Sequence, residues 1–422
     1  VLIRLFLRFS ALGLKFALAI VVARTLGFDA VGAYGLAVAA SVIASKLLGF
    51  GFSVELNRRL SARDPLPAIR EARTLGVAFG GLYLLLGAPL GAVTLSGAAP
   101  YAFGIPTRVL WCVLLVALSE HAAFEANAWM FSLHRSRTGS LLLFARTGAW
   151  AGIACASLLA GAVHSIESVF ALWIVSNALV VFLCWCGLGV LADRARRDGR
   201  PSPAPDWHDV FAVWRRGLPF YLAGVIVSTL QYAERFFAGS LTSPDALGRY
   251  VFAWSVANAV QTVAFATVAV TAGPGFVRAL AEAPHTFRPR LRRAIAASLS
   301  VTVLAGAAIL AGHDALFSLA HEQADARETA VLAVLLGSFV LRSVTDVLWT
   351  AAIALRAGAL VTLSMAAIAL VWTPVAWRLI AHFGTTGAAA AHLAASAGIA
   401  GVLALIVVRG AGATRAEVAD AA

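Results

Sequence analysis

Residues 29–37 read Asp29-Ala30-Val31-Gly32-Ala33-Tyr34-Gly35-Leu36-Ala37, and residues 245–253 read Asp245-Ala246-Leu247-Gly248-Arg249-Tyr250-Val251-Phe252-Ala253. Asp29, Gly32, Tyr34 and Ala37 recur as Asp245, Gly248, Tyr250 and Ala253, a shift of 216 positions in a chain of 422 residues. Each copy sits in a short break between two long apolar stretches. The chain is therefore close to a doubled unit, and the working surface is expected between two homologous halves.

The solvent of those halves is set by composition. Sixty per cent of the residues are hydrophobic, only 13% are charged, and the mean hydropathy is +0.85. In water such a chain would expose large apolar areas. Apolar runs of roughly 20 residues, enough to span a bilayer core as a helix, recur from end to end. The expected spans are 3–26, 31–54, 74–96, 108–131, 141–163, 168–192, 217–241, 249–272, 294–312, 329–355, 360–380 and 387–408. The fold class is thus an all-α integral membrane protein with twelve transmembrane helices in two six-helix lobes. Six-helix units start and end on one side, so the lobes are expected to be related by a pseudo-two-fold along the membrane normal. The expected organisation is an N-terminal lobe over 1–192, a cytoplasmic linker with an interfacial helix over 193–216, a C-terminal lobe over 217–408 and a cytoplasmic tail over 409–422.

Arg and Lys set the orientation. The termini and the loops after the even-numbered spans hold most of them, among them Arg58, Arg59, Arg135, Arg194, Arg215, Arg290 and Arg409. The opposite loops hold Arg327, with Arg24, Arg108 and Arg249 at their edges. Both termini are expected in the cytoplasm. The net charge of +12 is read as this topology signal plus attraction to anionic lipid headgroups, with no nucleic-acid partner required. The first span lacks a small-residue cleavage site and carries Lys15 and Arg24, so it reads as a retained helix. Cys112, Cys155, Cys184 and Cys186 lie within spans, and Cys184-Trp185-Cys186 is not a metal-type spacing; no metal or other cofactor is expected.

Local signals refine the connections. Asp29 is placed to cap the second helix, and Gly32 lets backbones approach closely. Pro89 and Pro374 fall inside spans and should bend them. Pro201, Pro203 and Pro205 mark the linker, after which Trp207, Val210, Phe211 and Trp214 form an apolar stripe suited to a short interfacial helix. Pro219 should sit in the first turn of the seventh span. The longest outer loop, about 313–328, is too short to house the acid–base residues of a glycan polymerase or ligase, so no enzymatic activity is expected.

Intramembrane charges carry the chemistry, since each costs roughly 2.5 to 3.5 kcal/mol at the bilayer centre. By position along the spans, Lys15, Glu120, His121 and Arg342 fall near the midplane, Lys46, Glu125, Arg146 and Asp346 towards the cytoplasm, and Arg24, Glu234 and Arg235 towards the outside. Glu125 with Arg146, and Arg342 with Asp346, are expected to neutralise each other. Glu234 and Arg235 are sequence neighbours and should find partners elsewhere. Lys15, Lys46, Arg24 and Arg235 then remain, a positive surplus whose repeat mates include Gln231, Thr262 and Ser240. Such residues are expected to line a water-filled cationic cleft that attracts anions.

The Lys15-bearing first helix, Arg24-Thr25-Leu26-Gly27, Gly32-Ala33-Tyr34-Gly35-Leu36, Gly49-Phe50-Gly51 and Gly217-Leu218-Pro219-Phe220 resemble polysaccharide biosynthesis proteins of the O-antigen flippase type. Those belong to the multidrug/oligosaccharidyl-lipid/polysaccharide exporter superfamily. The resemblance implies a V-shaped pair of bundles that moves an undecaprenyl-diphosphate-linked oligosaccharide across the bacterial inner membrane by alternating access. Lipid II flippases of similar pattern commonly carry two further helices, and multidrug exporters of the superfamily rely on first-lobe acids, for which Glu120 is the comparable residue.

The leading expectation is a flippase in which Lys15, Arg24, Lys46, Arg235 and Arg342 contact the diphosphate and Glu120, His121 and Asp346 couple to H+ or Na+. Its partners would be the lipid-linked oligosaccharide, membrane lipids and a glycan polymerase. The alternative is an ion-coupled exporter of small molecules or drugs.

Overall fold

The computed structural model describes residues 2–61, 64–96, 101–102, 105–197, 207–320 and 325–420. The chain divides into two compact units, Val1–Tyr221 and Leu222–Ala422. In the first, α1 (Leu2–Leu26) and α2 (Phe28–Leu47) are the first two spans, followed by a short amphipathic α3 (Phe52–Leu60). The third span is α4 (Leu66–Ser96), and two-residue strands β1 (Tyr101–Ala102) and β2 (Ile105–Pro106) pair antiparallel before the fourth, α5 (Thr107–Ser132). The fifth is α6 (Ser136–Phe144), a π turn at Ala145–Ala149 and α7 (Trp150–Leu159); the sixth is α8 (Ile166–Arg197).

The seventh span is formed by α9 (Trp207–Tyr232) and α10 (Glu234–Leu241), divided at Ala233. In the second unit α11 (Pro244–Ala264), a π turn at Phe265–Ala269 and α12 (Val270–Glu282) make the eighth, and α13 (Phe287–Ala311) makes the ninth. A short α14 (His313–Leu319) precedes the tenth, α15 (Ala326–Ala354). The last two spans form α16 (Gly358–Asp420), which is two helices joined across a kink at Gly384. Trp372 donates its indole N–H to the Ala391 carbonyl at 2.9 Å, so the two arms lie side by side. Among the described residues ten helices are long and apolar enough to cross a membrane. With the divided seventh span and the two arms of α16, they give twelve membrane-spanning helices in two six-helix lobes.

The duplication is visible in the packing. In the first unit α2 packs on α5, α5 on α8 and α1 on α7; in the second, α11 packs on α15, α15 on α16 and α10 on α16. The repeated corner has one burial pattern in both copies: Asp29 and Asp245 are exposed, while Gly32 and Gly248, Tyr34 and Tyr250, and Ala37 and Ala253 are buried. Lipid tails are as apolar as leucine, so helices associate here through close packing and internal polar contacts. Leu84, Leu304 and Leu370 point outwards, at 72–78% exposure, as a lipid-facing surface requires.

Several local expectations change. Asp29 does not cap α2; the helix starts at Phe28 after Gly27, whose φ of +84° breaks the chain first, and Asp29 sits inside the first turn. There its charge still favours the positive end of the helix dipole. In the other copy Ser243 caps α11, accepting the Ala246 N–H at 3.2 Å, with Pro244 next to it. Pro219 lies in the interior of α9, because that helix begins at Trp207 and runs on without a break. Pro89 and Pro374 lie inside α4 and α16. Pro201, Pro203 and Pro205, and the side chains of Trp207, Val210 and Phe211, lie outside the described residues. Trp214 instead donates to the Phe50 carbonyl and stacks on Phe52, and Tyr221 donates to the Leu47 carbonyl, so this part of α9 is fixed to the α2–α3 corner. Cys184 is buried and Cys186 exposed; all four cysteines are free thiols.

The contact between α1 and the fifth span sets a steric test. A Cβ on Gly148 would lie 2.6 Å from the Ala11 Cα, whereas one on Gly80 meets nothing within 4 Å. Overpacking a close helix contact costs about 1–3 kcal/mol. Gly148→Val should therefore lower the melting temperature of purified protein in detergent, while Gly80→Val leaves it near wild type.

Candidate functional site

Each unit encloses a polar centre. In the first, α5 presents Glu120, the π turn presents Arg146 and α8 presents Trp173. Arg146 Nη1 donates to Glu120 Oε1 at 2.8 Å, and Trp173 Nε1 donates to Glu120 Oε2 at 3.0 Å, with Glu120 and Arg146 both buried. Trp150 stacks on Trp173 with ring centroids 4.6 Å apart and donates to the Arg146 carbonyl. Tyr34 of the repeated corner packs 6.1 Å from Trp173. Lys15, half-buried on α1, places its Nζ 5.4 Å from the centroid of the same indole. An aromatic face accepts a cation without a hydrogen bond. The result is two cations and one carboxylate around a tryptophan pair.

One residue along α5 the polarity continues on another face. His121 Nδ1 shares a 2.6 Å hydrogen bond with the Tyr83 hydroxyl of α4, and its ring meets Phe79 edge-on at 4.9 Å. Glu125 accepts the Ser53 hydroxyl at 2.6 Å. Both His121 and Glu125 are buried.

In the second unit the break at Ala233 turns Glu234 and Arg235 inwards, and both are fully enclosed. Tyr250 donates to Glu234 Oε1 at 3.2 Å. The Arg235 guanidinium lies 3.7 Å from the Trp254 ring centroid and 5.0 Å from that of Tyr232. Arg342 of α15 faces the same tyrosine, its Nη2 3.4 Å from the Tyr232 hydroxyl and its guanidinium 5.3 Å from the ring centroid. Its Nε and Nη1 are buried with no hydrogen-bond partner among the described residues. His392 hydrogen-bonds Ser338 through Nδ1 at 2.6 Å. Tyr250 also lines a cavity of about 230 Å³ with Asp245, Arg249, Asp325, Arg327 and Glu328. There Arg249 bridges Asp245 at 2.8 Å and Glu328 at 2.9 Å.

The expected site residues thus fall into separate groups. Lys15 joins Glu120 at the first centre; Arg235 and Arg342 meet at the second. Arg24 and Lys46 are exposed in the last turns of α1 and α2, Lys46 with its Nζ 5.7 Å from the Phe124 ring centroid. His121 turns away from Glu120, and Asp346 accepts a hydrogen bond from Gln261. Two expected pairs are corrected. Arg146 pairs with Glu120 rather than Glu125, because matching depth on two helices does not fix which face each presents. Arg342 and Asp346, one turn apart on α15, make no direct salt-bridge contact among the described residues, although the Arg342 charge still acts on Asp346; their hydrogen bonds go to Tyr232 and Gln261. Tyr83, Trp173, Tyr232 and Trp254 are not legible as site residues in the sequence, since aromatic residues in apolar spans carry no mark of their partners. Gln261 and His392 were legible as polar residues inside spans.

Removing one partner of a buried ion pair leaves the other uncompensated, at a cost of about 3–5 kcal/mol. Arg146→Met should destabilise the purified protein on that scale in thermal or denaturant unfolding. The double replacement Glu120→Met with Arg146→Met should recover most of the loss.

No protein-family model matches the sequence, and no curated protein matches it. Solved structures do. The chain is similar to an inward-facing multidrug resistance MATE family transporter of the MOP superfamily, with a TM-score of 0.67, 16% identity and coverage of 96% of this chain and 95% of that one. It is similar to lipid II flippase MurJ in an inward closed conformation, with a TM-score of 0.68, 12% identity and coverage of 96% and 87%. It is also similar to a MOP superfamily transporter from Pyrococcus furiosus described as having a binding pocket of reverse polarity that suggests a different function, with a TM-score of 0.57, 14% identity and coverage of 98% and 94%. The chain has the fold shared by these MOP-superfamily membrane transporters.

Proposed function

We propose that the protein is a flippase of the bacterial inner membrane, with both termini cytoplasmic, that translocates an undecaprenyl-diphosphate-linked oligosaccharide by alternating access. The observation that carries this reading is Arg342. Its guanidinium is buried beside that of Arg235, and its Nε and Nη1 point at no acceptor among the described residues. Glu234 lies with the two guanidinium groups and accepts the Tyr250 hydroxyl, and Asp346 is a second carboxylate within reach of the Arg342 charge. A buried guanidinium with open donors is costly to keep unless an anion completes it, and its planar fork matches a phosphate oxygen pair. Lys15 adds a point charge in the first unit. Arg24 and Lys46, exposed at helix ends, would steer a diphosphate by long-range attraction.

A second reading, an ion-coupled exporter of small molecules, is favoured by the MATE transporter fold likeness, which is as strong as that to the flippase. Efflux resistance on overexpression, without a glycan defect on deletion, would select it.

The test uses undecaprenyl diphosphate as the probe. Losing a hydrogen bond to a charged group is worth about 1.5–3 kcal/mol, or at least about tenfold in affinity. Arg342→Ala should weaken binding to the purified protein by that factor and abolish surface glycan in a complementation assay while insertion is preserved. Unchanged binding and full glycan display would remove the assignment.

A further inference from the structure

We propose that Glu125 and His121 form a proton-binding site in the first unit, built around the backbone of Gly49 and distinct from the basic residues assigned to the diphosphate. The proposal rests on the protein being an ion-coupled transporter. Four observations support it.

Glu125 and His121 stand one turn apart on α5 and so share a face. They are 2% and 0% exposed. Arg146 is taken by Glu120, and among the described residues Glu125 makes no ion pair; its partner is the Ser53 hydroxyl. A carboxylate so deeply buried, held by a hydroxyl and with the Lys46 charge nearby but not in salt-bridge contact, is well placed to gain and lose a proton.

The imidazole is oriented for the same exchange. Tyr83 holds Nδ1, leaving Nε2 buried and without a partner among the described residues. Glu125 Oε1, the oxygen that Ser53 holds, and His121 Nε2 both lie beside Gly49. The point where a Cβ would sit on that glycine is 3.0 Å from Ser53 Oγ, 3.4 Å from Glu125 Oε1 and 3.9 Å from His121 Nε2. A carboxyl oxygen and an imidazole nitrogen therefore flank a position that carries no side chain.

The donor set selects the ion. Sodium is a hard cation that needs several oxygen ligands, whereas an imidazole, a phenol, a hydroxyl and a single carboxylate form a proton relay. In the loading step Glu125 takes up H+ to form one O–H bond and loses its negative charge; release breaks that bond and returns H+. The other charged and titratable groups facing this cluster are Lys46 at the end of α2, Tyr83 of α4, and the Glu120–Arg146 pair behind Phe124, whose ring lies 5.3 Å from the Arg146 guanidinium.

The position also says what protonation would move. Gly49 begins the left-handed corner of Phe50 and Gly51, with φ of +46° and +78°, on which Trp214 and Tyr221 of α9 are anchored. Changing the charge beside Gly49 bears directly on that anchorage.

The test is pH-difference infrared spectroscopy of the purified full-length protein in lipid bilayers, with H+ and then Na+ as the only probes. A carboxylic-acid band should titrate in wild type, be lost in Glu125→Gln and persist in Glu120→Gln and Glu234→Gln. Stepping Na+ at fixed pH should leave it unchanged. Should Glu125→Gln not fold, Ser53→Ala and Tyr83→Phe should each move the midpoint of the band. A band that survives Glu125→Gln, a midpoint indifferent to both milder variants, or displacement by Na+ would each overturn the site. No substrate enters this measurement, so loss of the band together with intact glycan display on deletion would sink only the flippase reading.

Discussion

Arg146 can be buried in the first unit only because Glu120 is there to receive it. The 2.8 Å contact offsets the desolvation of both charges, and the second carboxylate oxygen takes the Trp173 indole at 3.0 Å. Everything around this contact follows from it. The π turn at Ala145–Ala149 brings the guanidinium inwards, the stacked Trp150 and Trp173 wall it off, and Lys15 is left with an aromatic face for a neighbour. His121 and Glu125, on another face of the same helix, are thereby deprived of a guanidinium and form a cluster of different chemistry.

The second unit solves the same problem less completely. Two guanidinium groups lie with the enclosed Glu234 and a set of aromatic faces, Asp346 stands one turn along α15 from Arg342, and part of the Arg342 fork has no hydrogen-bond partner among the described residues. The repeated corner links the two centres. Tyr34 leans on the tryptophan that binds Glu120, while Tyr250 donates directly to Glu234. One ancestral position thus supports both centres, with packing in one copy and a hydrogen bond in the other.

What could be read in advance divides by physical cause. Apolar length is a property of the chain itself, so the twelve spans and the doubled architecture were legible from residues such as Asp29, Tyr34, Asp245 and Tyr250. Charges in apolar runs are rare and must be housed, so intramembrane polar clusters are legible too; that each half encloses its own centre is not. Nor are the partners of those charges. Depth along a helix follows from counting, but the face a side chain presents depends on breaks such as Ala233 and the π turn before Trp150, which leave no clear mark in composition. Hence depth alone matches Arg146 with Glu125, whereas the face it presents delivers it to Glu120. The continuity of α9 was hidden for a related reason: Pro219 reads as a start signal, yet the helix passes through it.

The kink of α16 at Gly384 has a practical side. Its φ of +57° and ψ of −129° suit glycine alone, and the two arms join there with no intervening loop. Arg327 fastens the bend from α15, donating to the Phe383 carbonyl at 3.2 Å and reaching Thr386 Oγ1 at 3.4 Å. An epitope tag, protease site or fluorophore inserted at that bend would prise apart the last helical pair, so reporters for this protein belong in other connections.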